Sequence, residues 1–109
     1  MKEKLPDFLE TVISEYPSVW KAYQDLGEAC NNAGPLDEKT ARLVKLALAV
    51  GAQSEGSVHS HARRALKQGI TREELQQVAL LAVTSIGWSA SMAALSWIQD
   101  VTDKNAADR

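Results

Sequence analysis

The residues best suited to chemistry lie close together in SEGSVHSH, at positions 54–61. This stretch contains three hydroxyls, one carboxylate and two imidazoles. On a helix that turns about 100° per residue, Ser57 and Arg64 lie on the same side as His61, whereas His59 lies about 160° away. The two histidines therefore diverge too far to bind one metal ion, because metal pairs on helices need a spacing of three or four residues. We predict no metal site and no cofactor.

His61 is the strongest catalytic candidate in this stretch. The ordinary pKa of histidine lies near neutral pH, which suits a general acid or base. Arg64, one turn later, can hold an anionic substrate and favours the neutral imidazole. Ser57, one turn earlier, is a candidate auxiliary hydroxyl, but a serine nucleophile also needs an orienting acid and an oxyanion hole, which the sequence does not display. The alternative is that His61 is a half-buried structural residue bonded to a backbone carbonyl.

Composition limits the classes of protein to which the chain can belong. Its 109 residues suit one domain, and its net charge of −2 argues against nucleic acid as a partner. A single cysteine, Cys30, allows neither an internal disulfide nor a paired-thiol motif. The beginning of the sequence, MKEKLPDFLE, lacks the apolar stretch of a signal peptide, and the longest apolar runs are too short to cross a membrane. We therefore expect a cytoplasmic protein with no membrane partner.

Helical periodicity and helix punctuation recur along the chain, and no alternating strand pattern persists. Ser54 is predicted as an N-cap, Thr71 and Glu74 as a capping box, and Gly69 as a helix end. The segment 43–52 has one charged residue, which indicates a buried helix. These features predict an all-α, single-domain bundle over residues 1–109 with about six helices, at about 6–14, 18–31, 37–52, 54–68, 72–86 and 89–103.

One long segment resembles a known family. Residues 36–98, LDEKTARLVKLALAVGAQSEGSVHSHARRALKQGITREELQQVALLAVTSIGWSASMAALSWI, are similar to the carboxymuconolactone decarboxylase and alkyl hydroperoxidase D-like superfamily. The resemblance rests on the LDEKT helix start, the apolar third helix, the HARRAL segment, the GITREEL cap and the small-residue final helix. It implies an alkyl hydroperoxidase D-like helical fold and assembly of identical chains into a trimer or hexamer.

The resemblance also implies that a redox motif is missing. Thiol members of the family carry the pattern C-x-x-C-x-x-x-H, through which they reduce peroxides. The histidine of that motif falls on His61, whereas its cysteine positions fall on Ser54 and Ser57. The glutamate that precedes the motif in thiol members falls on Arg42, and Glu38, one turn earlier, is a possible substitute. Serine offers no thiolate and forms no disulfide, so thiol peroxidase chemistry is the least favoured function.

The decarboxylase branch of this family needs no cysteine and removes carbon dioxide from a cyclic lactone acid. Its substrate is anionic, so the resemblance implies a binding site for a small organic acid. Our hypothesis is a lyase in which His61 is the general acid or base and Arg64 or Arg42 binds the carboxylate. The alternative is a non-catalytic oligomeric scaffold with the same fold.

Overall fold

A computed structural model describes residues 6–103, and the regular secondary structure in that range is helical, which confirms the predicted all-α fold. None of these helices is long and apolar enough to cross a membrane. The chain divides into two compact units, one up to residue 35 and one from residue 36; the single domain over residues 1–109 stays a prediction. The helices are α1 Asp7–Glu15, α2 Pro17–Asn31, α3 Glu38–Gly51, α4 Glu55–Lys67, α5 Arg72–Leu81, α6 Val83–Ile86 and α7 Trp88–Thr102.

The first unit contains α1 and α2, which are separated by Tyr16. Pro17 begins α2, a position at which the missing N–H of proline costs no hydrogen bond. The rings of Trp20 and Tyr23 lie with centroids 5.8 Å apart and planes tilted by 34°. Neither helix contains a buried residue, so α1 and α2 provide no hydrophobic core between them.

The second unit, α3 to α7, contains the hydrophobic core. Helix α4 packs against both α3 and α7, and α5 packs against α7. Buried positions recur at helical spacing, as in Val58, Ala62 and Ala65 of α4. Helix α3 buries only one face, and Leu48 on its other side is 67% exposed. The predicted buried helix is therefore buried on one face and exposed on the other.

Side-chain caps define the starts of α3 and α5. The Asp37 carboxylate accepts a hydrogen bond from the backbone N–H of Thr40 at 2.7 Å, and this bond lowers the pKa of Asp37. Thr71 and Glu74 form the predicted capping box, in which each side chain accepts a hydrogen bond from the backbone N–H of the other residue. Ser54 occupies the N-cap position of α4, but its side chain makes no capping hydrogen bond. The predicted capping by the Ser54 hydroxyl is therefore wrong.

Two residues with left-handed backbone follow α3 and α4. Gln53 has a φ of 53°, and its side-chain amide donates to the backbone oxygens of Val50 at 2.9 Å and Ala90 at 3.1 Å. These bonds connect the end of α3 to α7. Gly69 has a φ of 85°, which glycine adopts without steric cost. Residues with left-handed backbone thus lie in both turns that flank α4.

The predicted helix over residues 72–86 is two helices, α5 and α6, so that prediction is wrong. Ala82 separates them, and its N–H is shared between two carbonyls of the preceding turn at 3.2 and 3.3 Å, as happens at helix ends. The β-branched Val83 and Thr84 follow, and such side chains lose rotamer freedom in a helix. Gly87, with a φ of 94°, then provides the predicted break before α7.

Candidate functional site

The candidate site is formed where α3 packs against α4. Arg42 on α3 places its Nη1 atom 2.8 Å from Nδ1 of His61 on α4. A guanidinium group has hydrogen-bond donors and no acceptor, so Nδ1 of His61 is the acceptor in this contact. The proton of the neutral ring is therefore on Nε2. The pairing joins two side chains that are 19 residues apart in the sequence.

The surroundings of His61 favour its neutral form. Partial burial is the largest cause, and the charges of Arg42, Arg64 and Lys45 act in the same direction. Together they lower the pKa of His61 from 6.5 to about 4. Burial and the charge of Arg64 also lower the pKa of Arg42. At neutral pH the site therefore contains an uncharged imidazole beside cationic groups.

Further hydrogen bonds hold the two arginines in place. The Nε atom of Arg42 donates to Oε1 of Gln68 at 3.0 Å, so its guanidinium is bound on two sides. Arg64 donates from Nη2 to the Ser60 hydroxyl at 2.8 Å, within α4. The sequence analysis did not include Gln68 in the site. Its position seven residues after His61, on the same side of a helix, is the signal that could have identified it.

The structure brings some predicted site residues together and leaves others apart. Arg42 contacts His61, and Arg64 lies close enough for its charge to lower the pKa of His61. Ser57 and Glu38 are exposed, and within residues 6–103 no hydrogen bond or ion pair joins either of them to His61. The roles of Ser57 as an auxiliary group and of Glu38 as a substitute for the motif glutamate stay predictions.

His59 lies in a different environment from His61. Its Nε2 atom is 3.0 Å from Oδ2 of Asp100 on α7. Glu55, one turn before His59, contributes a third polar group, and one ligand atom from each residue lies within 4.8 Å of the others. The geometry of these three side chains could hold a metal ion, although all of them are at least partly exposed. No sequence pattern pointed to Asp100, because it comes from a distant helix.

The described part of the chain also contains a cavity of about 500 Å³ between α3, α5 and α6. Its lining is mainly apolar, with Glu74 and Gln77 among the polar groups. The cavity is separate from the candidate site, since Arg42, His61 and Arg64 do not line it. The lining residues are Thr40, Leu43, Val44, Ala47, Val50, Gly51, Glu74, Gln77, Val78, Leu81, Ala82, Ser85 and Ile86.

Comparison with known proteins decides the family. The carboxymuconolactone decarboxylase family matches residues 17–100 of the sequence. The chain belongs to the carboxymuconolactone decarboxylase family. An apo crystal structure of a carboxymuconolactone decarboxylase family protein from Legionella pneumophila is similar, with a TM-score of 0.73 and 29% identity, over 88% of this chain and 85% of that one.

An uncharacterized protein from Haemophilus influenzae is 41% identical over 51 residues, which are 47% of this chain and 45% of that protein. The chain thus matches less than half the length of this curated relative.

This member of the carboxymuconolactone decarboxylase family lacks the C-x-x-C-x-x-x-H pattern of the thiol members that its sequence resembles. The resemblance places the motif's cysteines at positions 54 and 57 and its glutamate at position 42, where this sequence has Ser54, Ser57 and Arg42. The single cysteine, Cys30, is an exposed residue of α2. The distinguishing feature of the site is therefore a histidine in contact with an arginine.

Proposed function

We propose that this family member is a non-thiol enzyme of the lactone-decarboxylase type, which acts on a small anionic organic acid at His61. The observation that carries the proposal is the 2.8 Å contact between Arg42 and His61. The charges of Arg64 and Lys45 also reach this imidazole. The positive charges of these three side chains attract carboxylates, and a guanidinium can bind a carboxylate through two parallel hydrogen bonds.

In this proposal Arg42 and Arg64 bind the substrate carboxylate, and His61 is the general acid or base. Decarboxylation breaks the bond between the carboxylate and the adjacent carbon and releases carbon dioxide. The electron pair passes to a neighbouring carbonyl as an enolate, and His61, as the general acid or base, then passes a proton from solvent to the carbon. Hydrogen-bond donors near the enolate oxygen stabilise the charge that develops there.

Binding of small acids tests the proposal. Isothermal titration calorimetry with acetate, malonate and the lactone acid paraconate is expected to detect binding to the wild type and binding that is more than about tenfold weaker to His61→Ala or Arg42→Leu. The matched control is His59→Ala, which removes the only other histidine and is expected to keep the wild-type affinity. Equal affinity of the wild type and His61→Ala for the same acid would refute the proposal. Release of carbon dioxide from unsaturated lactone acids then measures turnover.

A non-catalytic scaffold is the second candidate, and two observations favour it. Arg42 is already hydrogen-bonded to both His61 and Gln68, and the cavity of about 500 Å³ lies elsewhere. If none of the three acids binds and no lactone acid releases carbon dioxide, the scaffold replaces the enzyme as the better proposal. Peroxide turnover with a dithiol reductant is expected to fail in either case, because both motif cysteines are serines.

A further inference from the structure

The hydrogen bonds of Arg42 have only one possible polarity. Its Nε atom donates to Gln68 at 3.0 Å, and its Nη1 atom donates to Nδ1 of His61 at 2.8 Å. A guanidinium carries five N–H donors in a rigid fork and no acceptor, so neither bond can be reversed. Gln68 thereby fixes the plane of the guanidinium, and the guanidinium in turn occupies Nδ1 of the imidazole.

We infer that Gln68 and Arg42 are positioning residues that hold His61 as its Nε2–H tautomer, so that His61 presents a bound acid with a hydrogen-bond donor rather than a base. The tautomer follows from the hydrogen bonds alone. The donor role rests on the proposed function, since it requires that an acid binds at this site.

The side chains around His61 are consistent with a site composed of hydrogen-bond donors. Arg42 and Lys45 on α3 and Arg64 on α4 contribute positive charge at the imidazole. An imidazolium would be repelled by these cations, whereas a neutral ring with Nε2–H adds one more donor beside them. Such an arrangement stabilises negative charge on a ligand oxygen, both in a bound carboxylate and in an enolate that forms during reaction.

The residue at position 42 controls which nitrogen of the His61 ring carries the proton. In the thiol pattern that the sequence resembles, a glutamate falls at this position, and a carboxylate accepts a hydrogen bond from an imidazole N–H. That arrangement would place the proton on the nitrogen facing the carboxylate and leave the other nitrogen as a base. Arg42 does the opposite, so a single substitution, Arg42→Glu, is expected to reverse the tautomer.

Nitrogen NMR of the two histidine side chains tests the tautomer without any ligand. In the wild type near neutral pH, the ¹⁵N shifts and long-range couplings of His61 are expected to show a protonated Nε2 and an unprotonated Nδ1. Arg42→Glu is expected to give the Nδ1–H form, and Gln68→Leu a mixture of the two forms. His59 is the internal control, because it is the only other histidine and no reversal is expected there. Circular dichroism checks that each variant is folded. If Arg42→Glu does not fold, Gln68→Leu provides the test of the tautomer.

The outcomes of this measurement are distinct. A wild-type His61 that is protonated on Nδ1, or doubly protonated near neutral pH, would overturn the inference, as would an unchanged tautomer in both folded variants. This holds even if the protein binds acids as proposed. A wild-type Nε2–H signal that changes in the variants supports the inference even if no substrate is found.

The donor role is tested by comparing two substitutions at His61. Glutamine keeps an N–H donor but is not a base, whereas alanine has neither function. His61→Gln is expected to bind malonate or paraconate within about tenfold of the wild-type affinity, and His61→Ala more than about tenfold more weakly. Equal losses in the two variants would overturn the donor role. If no acid binds the wild type, the donor role and the proposed function fail together, and the NMR result alone decides the tautomer.

Discussion

At residue 61, partial burial and positive charge act on the same imidazole in the same direction. Each of them disfavours the imidazolium, and neither prevents the neutral ring from hydrogen bonding. His61 therefore differs from a histidine that is paired with a carboxylate, in which the partner favours the charged form. The chemistry of this position depends on Arg42 as much as on the histidine itself, because Arg42 supplies both a charge and the hydrogen bond to Nδ1.

The lowered pKa of His61 predicts a loss of stability in acid. The pKa is 6.5 in the unfolded chain and about 4 in the folded protein, so between these values the unfolded state binds more protons. The contribution of His61 to stability is fully present above about pH 6.5 and is lost as the pH falls to about 4. His61→Gln cannot titrate, so its free energy of unfolding, measured by urea denaturation, should fall less steeply over this range.

Other groups also contribute to the loss of stability in acid, and the comparison of the wild type with His61→Gln removes their contributions. The pKa values of Asp37, Glu74 and Asp103 are lowered by their hydrogen bonds, so these carboxylates too lose stabilising interactions in acid. They are present in both proteins and cancel in the difference. Ser57→Ala, one turn from His61, is the matched control and should keep the wild-type slope. Parallel curves for the wild type and His61→Gln would contradict the prediction.

Ser91 provides a second prediction at the scale of one residue. It is completely buried in α7, and its hydroxyl has no hydrogen-bond partner among the described residues. Removing an unsatisfied buried hydroxyl eliminates a desolvation cost, so Ser91→Ala should leave stability unchanged or raise it by up to about 1 kcal/mol. Ser96→Ala on the same helix is the control, because the Ser96 hydroxyl is exposed and donates to Ala93. If Ser91→Ala is less stable than the wild type, with a lower urea midpoint, the Ser91 hydroxyl has a hydrogen-bond partner.

At the scale of helices, α4 and α5 begin in chemically different ways. The side chain of Thr71 caps α5, whereas that of Ser54 makes no capping bond at α4. Thr71→Ala should therefore cost about 1 kcal/mol of unfolding free energy, the usual value for loss of an N-cap. Ser54→Ala should cost clearly less, since no capping bond is removed. Equal losses in chemical denaturation would mean that the capping hydrogen bond does not account for the effect at Thr71.

The same distinction explains how much the sequence could predict. The capping box at Thr71 was predictable because it joins residues three apart, and most helix ends were located by similar local signals. The contact between Arg42 and His61 depends on how α3 is rotated against α4, which periodicity does not determine. Only the family resemblance marked position 42 as part of the site. The pairing of His59 with Asp100 left no signal in the sequence, because it requires the packing of α4 on α7.

At the scale of the whole molecule, many large apolar side chains remain on the surface. On α2, Val19, Tyr23 and Leu26 are each at least 60% exposed and recur at spacings of four and three residues, so they share one side of the helix. An exposed apolar stripe of this kind is typical of a surface that another chain covers. We propose that identical chains cover it, in the trimer or hexamer that the family resemblance implies.

Molar mass in solution tests this assembly. Size-exclusion chromatography with light scattering should give three or six times the chain mass of 11.9 kDa, and a wild-type mass of 11.9 kDa would exclude the proposal. Leu26→Lys places a charge in the stripe, where burial without a partner is costly, so it should lower the mass or make it depend on concentration. Gln24→Lys adds the same charge on the opposite side of α2 and should not change the mass. If both variants keep the wild-type mass, the chains assemble through another surface, and the stripe on α2 needs a different explanation.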